Sequence, residues 1–142
     1  MLVGHLALVV AAVFAGAAVY ITIAEHPARM RLADGPLLTQ WKPSYKRGFA
    51  MQATLAVVGC VLGLWMWYLS KDWRWVLGAV VLVANWPFTL FAIMPVNNRL
   101  VAMDEASPPG EMRGLMERWG VLHAVRSGLG SAATGLYLWA LN

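Results

Sequence analysis

The sequence predicts an all-α, polytopic membrane protein, a bundle of four transmembrane helices. Its 142 residues are 60% hydrophobic and only 13% charged, which leaves no room for a soluble domain beside the apolar segments. Each apolar run also reaches the roughly 20 residues that a helix needs to cross the hydrocarbon layer at about 1.5 Å per residue. We therefore treat residues 1–142 as one transmembrane domain, with spans at about 2–24, 49–70, 75–95 and 121–141.

Small residues at helical spacing predict how these spans pack, because helices in lipid associate through close backbone contact. The first span carries alanines at positions 7, 11 and 15, the second a G-x-x-x-G pair at Gly59 and Gly63, and the fourth Gly130 followed by Thr134. Pro27 lacks an N–H donor, so we expect it to end the first helix. Tryptophans around the short second connection predict an aromatic belt at the membrane interface.

The distribution of basic residues predicts how the chain is oriented in an inner (plasma) membrane. With four spans, both termini and the short connection share one side, which carries only Lys71 and Arg74 near its loop. The other two connections, 25–48 and 96–120, carry Arg29, Arg31, Lys42, Lys46, Arg47, Arg99, Arg113 and Arg118. We expect these two loops in the cytoplasm and both termini outside. The net charge of +4 then indicates contact with the lipid bilayer, not with nucleic acid.

Polar side chains inside the spans are costly in hydrocarbon, so they mark either a functional site or a packing contact. Asn85 and Thr89 are one helical turn apart and share a face, and Trp119, His123 and Arg126 recur at intervals of four and three residues. The same level of the predicted bundle also receives Glu25, His26, Gln52, Asn97, Asn98 and Arg99. The sequence therefore predicts a polar pocket in the cytoplasmic half of the bundle.

Arg126 is the most informative member of this pocket, because it lies about 10 Å inside its span, where an unpaired guanidinium is expensive. Glu25 is its expected ion-pair partner. Two alternatives remain open. Arg126 could extend to the surface while Glu25 is solvated, and Asn85 and Thr89 could form interhelical hydrogen bonds that only fix the packing.

A metal or haem site is the alternative use of the two histidines. His26 and His123 with Glu25 form the ligand set of a non-haem iron site, and a pair of imidazoles can ligate haem. However, adjacent helical residues point in different directions, and the E-x-x-H spacing of di-iron bundles is missing. We therefore predict no metal ligands, and keep iron or haem as the alternative.

Several segments together resemble the anthrone oxygenase-like family of small membrane proteins, whose bacterial members mostly have no assigned activity. The resemblance rests on Glu25–Pro27, Tyr45–Gly48 with Gln52, Asn85–Thr89, Met94–Leu100, and Trp119 with His123 and Arg126. These segments spread over all four predicted spans. The resemblance implies conversion of an anthrone to a quinone, with molecular oxygen as co-substrate and without a separate cofactor.

The implied reaction needs a base, a group that stabilises an anion and an apolar slot for a lipophilic aromatic molecule. His123 is the expected base and His26 the second candidate, because imidazole titrates near neutrality. Arg126 and Asn85 are expected to hold the developing oxyanion, helped by Asn97 or Asn98, and Glu25 completes the candidate catalytic set. The expected substrate-binding residues are Gln52, Trp86, Phe88, Thr89, Asn97, Asn98, Arg99 and Trp119.

Two other functions fit the same residues. The chain could be a binding or carrier protein for a quinone-like lipophilic molecule, since a polar pocket in an apolar bundle serves binding as well as catalysis. It could also be a membrane scaffold or interaction subunit, in which the small-residue faces mediate assembly into a homo-oligomer. Oxygen consumption separates the enzyme from both.

Overall fold

The computed structural model describes residues 1–104, 107, 108 and 110–142, and its regular structure is helical throughout. Four long helices follow the chain: α1, Leu2–Arg29, α2, Asp34–Ser70, α3, Trp73–Ala102, and α4, Glu111–Leu141. Each helix packs against the next, and α4 returns to pack against α1. The predicted all-α four-helix bundle is therefore confirmed.

Three of the helices, α1, α2 and α3, are long and apolar enough to cross a membrane. Helix α4 is not one of these three, since glycine, serine, histidine and arginine interrupt its apolar residues. Large apolar side chains also cover much of the outside of the bundle, among them Val9, Val61, Phe91 and Val121. A surface of this kind, around an interior of small and polar residues, is consistent with a membrane location.

Two connections are shorter than the sequence predicted. Helix α2 already begins at Asp34 and continues past Pro43, so most of the expected 25–48 loop is helical. The expected 96–120 loop is likewise shortened from both sides, by the end of α3 at Ala102 and the start of α4 at Glu111; residues 105, 106 and 109 lie outside the described part. Packing explains the difference, because Leu37 and Trp41 are fully buried against α3 and α4.

Pro27 does not end the first helix, contrary to the prediction. The helix passes through a π-helical turn, Ile21–Glu25, and continues as α-helix over His26–Arg29. Helix α3 repeats the arrangement, with a π-helical turn at Thr89–Ile93 placed two residues before Pro95. A proline ring clashes with the carbonyl four residues earlier, and in both helices that carbonyl lies inside the wider π turn, which accommodates the ring.

Two apolar clusters occupy opposite ends of the bundle. The termini-end cluster consists of Ala7, Ala11, Phe14, Ala18, Ala56, Trp75, Leu82, Ala133, Tyr137 and Ala140. The loop-end cluster, at the end of the bundle where α1 ends and α2 begins, consists of Leu37, Leu38, Trp41, Ile93, Val96, Leu100, Met103, Met112, Leu115, Met116 and Trp119. Most of the buried polar side chains lie on the helical segments between these two clusters.

The termini-end cluster depends on glycine at the contact points, as the G-x-x-x-G spacing predicted. A β-carbon added at Gly59 would come within 2.5 Å of a Leu82 methyl carbon, and one added at Gly78 would come within 2.5 Å of the Tyr137 ring. The Tyr137 ring also packs on Trp75, with the ring centroids 5.4 Å apart. These contacts hold the helices close together at this end.

Candidate functional site

A layer of buried polar side chains separates the two apolar clusters. The layer consists of Gln52, Asn85, Thr89, Asn97, His123, Arg126 and Ser127, and Arg29 is also buried at its edge. All four helices border the layer, since Thr22 of α1 contacts it by hydrogen bonding. Because neighbouring helices are antiparallel, these residues come together in one half of the bundle, and all of them except Ser127 and Arg29 were predicted there from their positions along the spans.

The first of two small cavities, the α2–α3 hollow, lies between those helices and reaches Arg126. Its walls include Phe49, Gln52, Asn85, Trp86 and Thr89. The Asn85 amide nitrogen donates to the Leu82 carbonyl at 3.0 Å, and the amide oxygen is buried without a partner in the described part of the chain. The volume of this hollow is about 10 Å³, enough for about one water molecule.

The second cavity, the central hollow, is bordered by all four helices. Its walls include Glu25, Gln52, Asn97, Trp119, His123 and Arg126. Phe49, Gln52 and Arg126 border both hollows, so the two cavities meet at the guanidinium. The volume of the central hollow is about 30 Å³, enough for about two water molecules.

Arg126 is buried without an ion pair within the described residues, and its Nε has no hydrogen-bond partner. The predicted Glu25–Arg126 pair is wrong. The guanidinium lies over the ring of Phe14, whose centroid is 5.8 Å from the guanidinium carbon. Arg126 therefore presents a positive charge and unused N–H donors to both hollows.

Glu25 pairs instead with Arg29, one helical turn later in α1, at 2.5 Å. Gln40 of α2 completes this network, accepting from Arg29 Nε and donating to Glu25 at 3.2 Å and to Ser44 at 3.0 Å. The i, i+4 spacing of Glu25 and Arg29 is the signal that could have identified the pair. Arg29, counted from the sequence as a loop residue, is 4% exposed.

His123 is held on its ring face and at one ring nitrogen. The ring stacks on Trp119 with the centroids 4.8 Å apart and the planes 24° apart. Trp119 is fixed in turn by its indole N–H, which donates to the Asn97 side-chain oxygen at 2.9 Å. His123 Nδ1 lies 3.1 Å from the Thr22 hydroxyl. These contacts orient the imidazole at the wall of the central hollow.

His26, the second candidate base, borders neither hollow. Its ring is 5.3 Å from the Trp119 ring and contacts Gly120, where a β-carbon would collide with the imidazole. The Nδ1 of His26 is buried and has no hydrogen-bond partner among residues 1–104, 107, 108 and 110–142. Within the described residues, no group of three or more histidine, cysteine, aspartate or glutamate side chains could hold a metal ion.

Three predicted substrate-binding residues lie away from both hollows. Asn98 and Arg99 are exposed, and Arg99 forms a surface ion pair with Glu111 at 2.6 Å. Phe88 is half-buried against the loop-end cluster. Trp86 occupies an intermediate place: it borders the α2–α3 hollow, is 39% exposed, and donates its indole N–H to the Ala53 carbonyl at 3.3 Å.

Sequence reasoning missed Thr22 and Ser127, which contact His123, and Trp41, which borders the central hollow. Hydroxyl residues in a membrane helix usually bond their own backbone, so Thr22 gave no distinct signal. Trp41 was assigned to a surface loop. Only a correct estimate of where α2 begins would have placed it inside the bundle.

Six buried side-chain polar atoms within the described residues have no hydrogen-bond partner. They belong to His26, Arg29, Trp41, Gln52, Asn85 and Arg126, all in or beside the polar layer. Unpaired buried polar atoms are rare because each costs about 1–3 kcal/mol. Their concentration at one level indicates a place where bound molecules, water or a ligand, supply the missing partners.

Comparison with known proteins gives the same family that the motifs indicated. The anthrone oxygenase family matches residues 41–136 of the chain. An anthrone oxygenase of Cryptosporiopsis sp. (strain 8999) is 31% identical over 123 residues, which cover 82% of this chain and 72% of the relative. An anthrone oxygenase of Aspergillus fumigatus is 35% identical over 103 residues, covering 64% and 62% of the two chains.

A third relative, an anthrone oxygenase of Aspergillus novofumigatus, is 34% identical over 106 residues, covering 66% of this chain and 64% of the relative. The chain thus spans about two thirds of the length of these relatives. No solved structure matches the chain. The family match covers more than half of the sequence and includes Trp119, His123 and Arg126, so the chain belongs to the anthrone oxygenase family.

Proposed function

We propose that this protein is a membrane-embedded oxygenase that oxidises an anthrone-type aromatic substrate to the quinone with molecular oxygen. One observation carries the proposal. A buried arginine without an ion pair within the described residues and an oriented imidazole border the same cavity in the bundle. The names of the related proteins supply the substrate class.

The first step of the proposed reaction is removal of a proton from the methylene carbon of the anthrone. His123 is the base in this step because it borders the central hollow and its ring is fixed by Trp119 and Thr22. A positioned base of this kind contributes about 10²–10⁴-fold to rate. His26 is the weaker candidate, since it borders neither hollow.

Proton removal delocalises negative charge onto the carbonyl oxygen, and Arg126 stabilises this anion. Among the residues that the structure describes, its guanidinium has no ion-pair partner to give up, and the Gln52 amide nitrogen beside it is also an unpaired donor. Donors that are already in place and shielded from water stabilise a developing oxyanion strongly. The Asn85 side-chain oxygen adds an acceptor for a hydroxyl of the substrate.

Oxygen then reacts with the electron-rich anion. One electron passes to oxygen, the two radicals combine at the deprotonated carbon, and the imidazolium returns its proton to give a hydroperoxide. Loss of water from that carbon leaves the second carbonyl, so that anthrone and oxygen give quinone and water. The electrons come from the substrate, and we propose that no separate cofactor takes part.

A substrate with three fused rings exceeds the room in the two hollows, so binding displaces part of their walls. Most residues of the α2–α3 hollow are apolar, with Phe49 and Trp86 beside the unpaired polar groups. Aromatic walls of this kind suit a planar ring system. We propose that the ring system lies across both hollows, with its methylene carbon facing His123 in the central hollow, its oxygen atom toward Arg126 and an outer ring against Phe49 and Trp86.

The test is oxygen uptake and quinone formation by purified protein with emodin anthrone, measured against the spontaneous rate. We expect acceleration by the wild type and its loss, by about 10²-fold or more, in His123→Ala. His5→Ala is the matched control, since His5 is exposed near the amino terminus. Saturable binding without oxygen consumption would instead support a carrier, and equal rates in wild type and His123→Ala would contradict the proposed base.

We also propose that the protein spans an inner membrane with both termini outside. The support is the three long apolar helices, the return of α4 beside them, which brings Gly4 and Leu141 into contact at one end of the bundle, and the basic residues at the other end. A protease applied to intact cells should remove a tag placed after Asn142. A tag that becomes accessible only after lysis would contradict this orientation.

A further inference from the structure

A hydroxyl pair links α1 to the imidazole of α4. The Thr22 hydroxyl lies 3.1 Å from His123 Nδ1 and 2.8 Å from the Ser127 hydroxyl. The Ser127 hydroxyl also lies 3.4 Å from the backbone carbonyl of His123, one turn earlier in its own helix. Three polar contacts thus run in series from a carbonyl to a ring nitrogen.

Each hydroxyl has one proton to donate, so the series has a direction. If Ser127 donates to the His123 carbonyl, Thr22 donates to Ser127, and Thr22 is free to accept from a proton on Nδ1. All three contacts are then hydrogen bonds. In the reverse direction Ser127 donates to Thr22 and Thr22 to Nδ1, which leaves Ser127 without a proton for the carbonyl. The first direction satisfies more groups and is favoured, since buried polar groups are nearly always paired.

We infer that Thr22 and Ser127 are positioning residues that keep the proton of neutral His123 on Nδ1 and leave the lone pair of Nε2 free. The tautomer of an imidazole is set by the bond that its other nitrogen makes. No protein group described in the structure hydrogen-bonds Nε2, and the residue borders the central hollow. The catalytic consequence rests on the proposed function, whereas the tautomer does not.

We call the series of hydrogen bonds from His123 Nδ1 through Thr22 and Ser127 to the His123 carbonyl the relay. It determines which nitrogen of the imidazole is able to act as the base. Nδ1 is occupied by Thr22, so a proton from a molecule in the central hollow has only Nε2 to bind. Once Nε2 is protonated, the Nδ1–H bond to Thr22 remains, and the ring does not have to turn. Trp119, stacked on the ring face, blocks other ring orientations, so the relay and the stack together fix the base for both halves of the reaction.

The test is the ¹⁵N NMR spectrum of histidine-labelled protein in detergent micelles, recorded near neutral pH without substrate. The chain has 3 histidines, and a His123→Gln spectrum assigns the signals of His123. We expect the wild type to carry its proton on Nδ1. In Thr22→Val, which removes the hydroxyl at nearly constant shape, the proton should move in part or wholly to Nε2, and Thr22→Ser should restore Nδ1.

Thr134→Val is the matched control, because the Thr134 hydroxyl donates to the Gly130 carbonyl of its own helix, 2.9 Å away. It should leave the signals of His123 unchanged. Turnover should fall at least about tenfold in Thr22→Val, since a base in the wrong tautomer has no lone pair at the reacting position, and recover in Thr22→Ser. Ser127→Ala should give a smaller change in both measurements.

The two proposals fail in different ways. A wild-type spectrum with the proton on Nε2, or a spectrum that Thr22→Val does not alter, would overturn the relay, even if His123→Ala abolished turnover. A proton on Nδ1 that moves in Thr22→Val would establish the relay. If His123→Gln then left turnover intact, the proposed base would be rejected while the relay stood.

Discussion

The termini end of the bundle and the polar layer are formed by the same four helices, but the first is closely packed and the second contains cavities and unpaired polar atoms. At the termini end, small residues bring the helices together, and the Tyr137 hydroxyl donates to the Gly59 carbonyl at 2.8 Å. In and beside the polar layer, six buried polar atoms have no partner in the described residues, and two cavities interrupt the packing. The first region lowers the free energy of the fold, and the second retains unsatisfied groups that a ligand can use.

The largest expected effect comes from removing the positive charge of Arg126 from the polar layer. Arg126→Ala should lower turnover on the order of 10²–10³-fold, because a preorganised donor to the oxyanion is lost. The thermal midpoint in detergent should hold or rise, since Arg126 gives up no ion pair. Arg126→Lys should keep part of the activity, and Arg99→Ala, at the exposed surface ion pair, is the control. Unchanged turnover in Arg126→Ala would contradict the role of the guanidinium.

The termini end should respond in stability and not in chemistry. Gly78→Ala places a methyl group within 2.5 Å of the Tyr137 ring, and overpacking of this kind costs about 1–3 kcal/mol. A lower unfolding midpoint with unchanged turnover per folded molecule is the expected result. Gly135→Ala is the control, because no other group lies within 4 Å of an added β-carbon there. Equal midpoints in the two variants would show that the contact is not tight.

A smaller effect is expected from Tyr137→Phe, which removes only the hydroxyl bonded to the Gly59 carbonyl. Interhelical hydrogen bonds in membrane proteins contribute about 0.6 kcal/mol on average. The free energy of unfolding should fall by about that amount, with turnover intact. Tyr68→Phe, at an exposed ring, should change neither quantity. Loss of activity in Tyr137→Phe would show that the two regions are coupled.

The smallest effect is expected at the connection between α2 and α3. The Asp72 side chain accepts from the Arg74 backbone N–H at 2.9 Å and from the Arg74 guanidinium, which lowers the pKa of the carboxyl below its ordinary value. A lowered pKa stabilises the fold at pH values above the unfolded pKa, and this stabilisation is lost as the pH falls through the folded pKa. Asp72→Ala should therefore lower the midpoint slightly at pH 7. The difference from wild type should vanish in strong acid, and a difference independent of pH would exclude the charge as its cause.

The sequence by itself determined the apolar spans and the composition of the helix faces. Helical periodicity is local, so the intervals between Trp119, His123 and Arg126 were enough to predict one shared face, and all three are buried. The same reasoning placed Asn85 and Thr89 together. Polar residues in the same half of antiparallel helices predicted the polar layer, although Asn98 and Arg99 are exposed near the end of α3.

Only the tertiary structure decided which faces meet. The pairing of Glu25 with Arg29 is local to α1, but whether Glu25 also reaches Arg126 depends on how α1 is rotated against α4, which the sequence did not show. Thr22 and His123 are 101 positions apart in the sequence, and their side chains meet because α1 packs against α4. Thr22 also lies in a π-helical turn, which was not predicted from the position of Pro27. Local periodicity fixes what each helix presents, whereas the packing of four helices fixes the distances between those faces, and the candidate site consists of such distances.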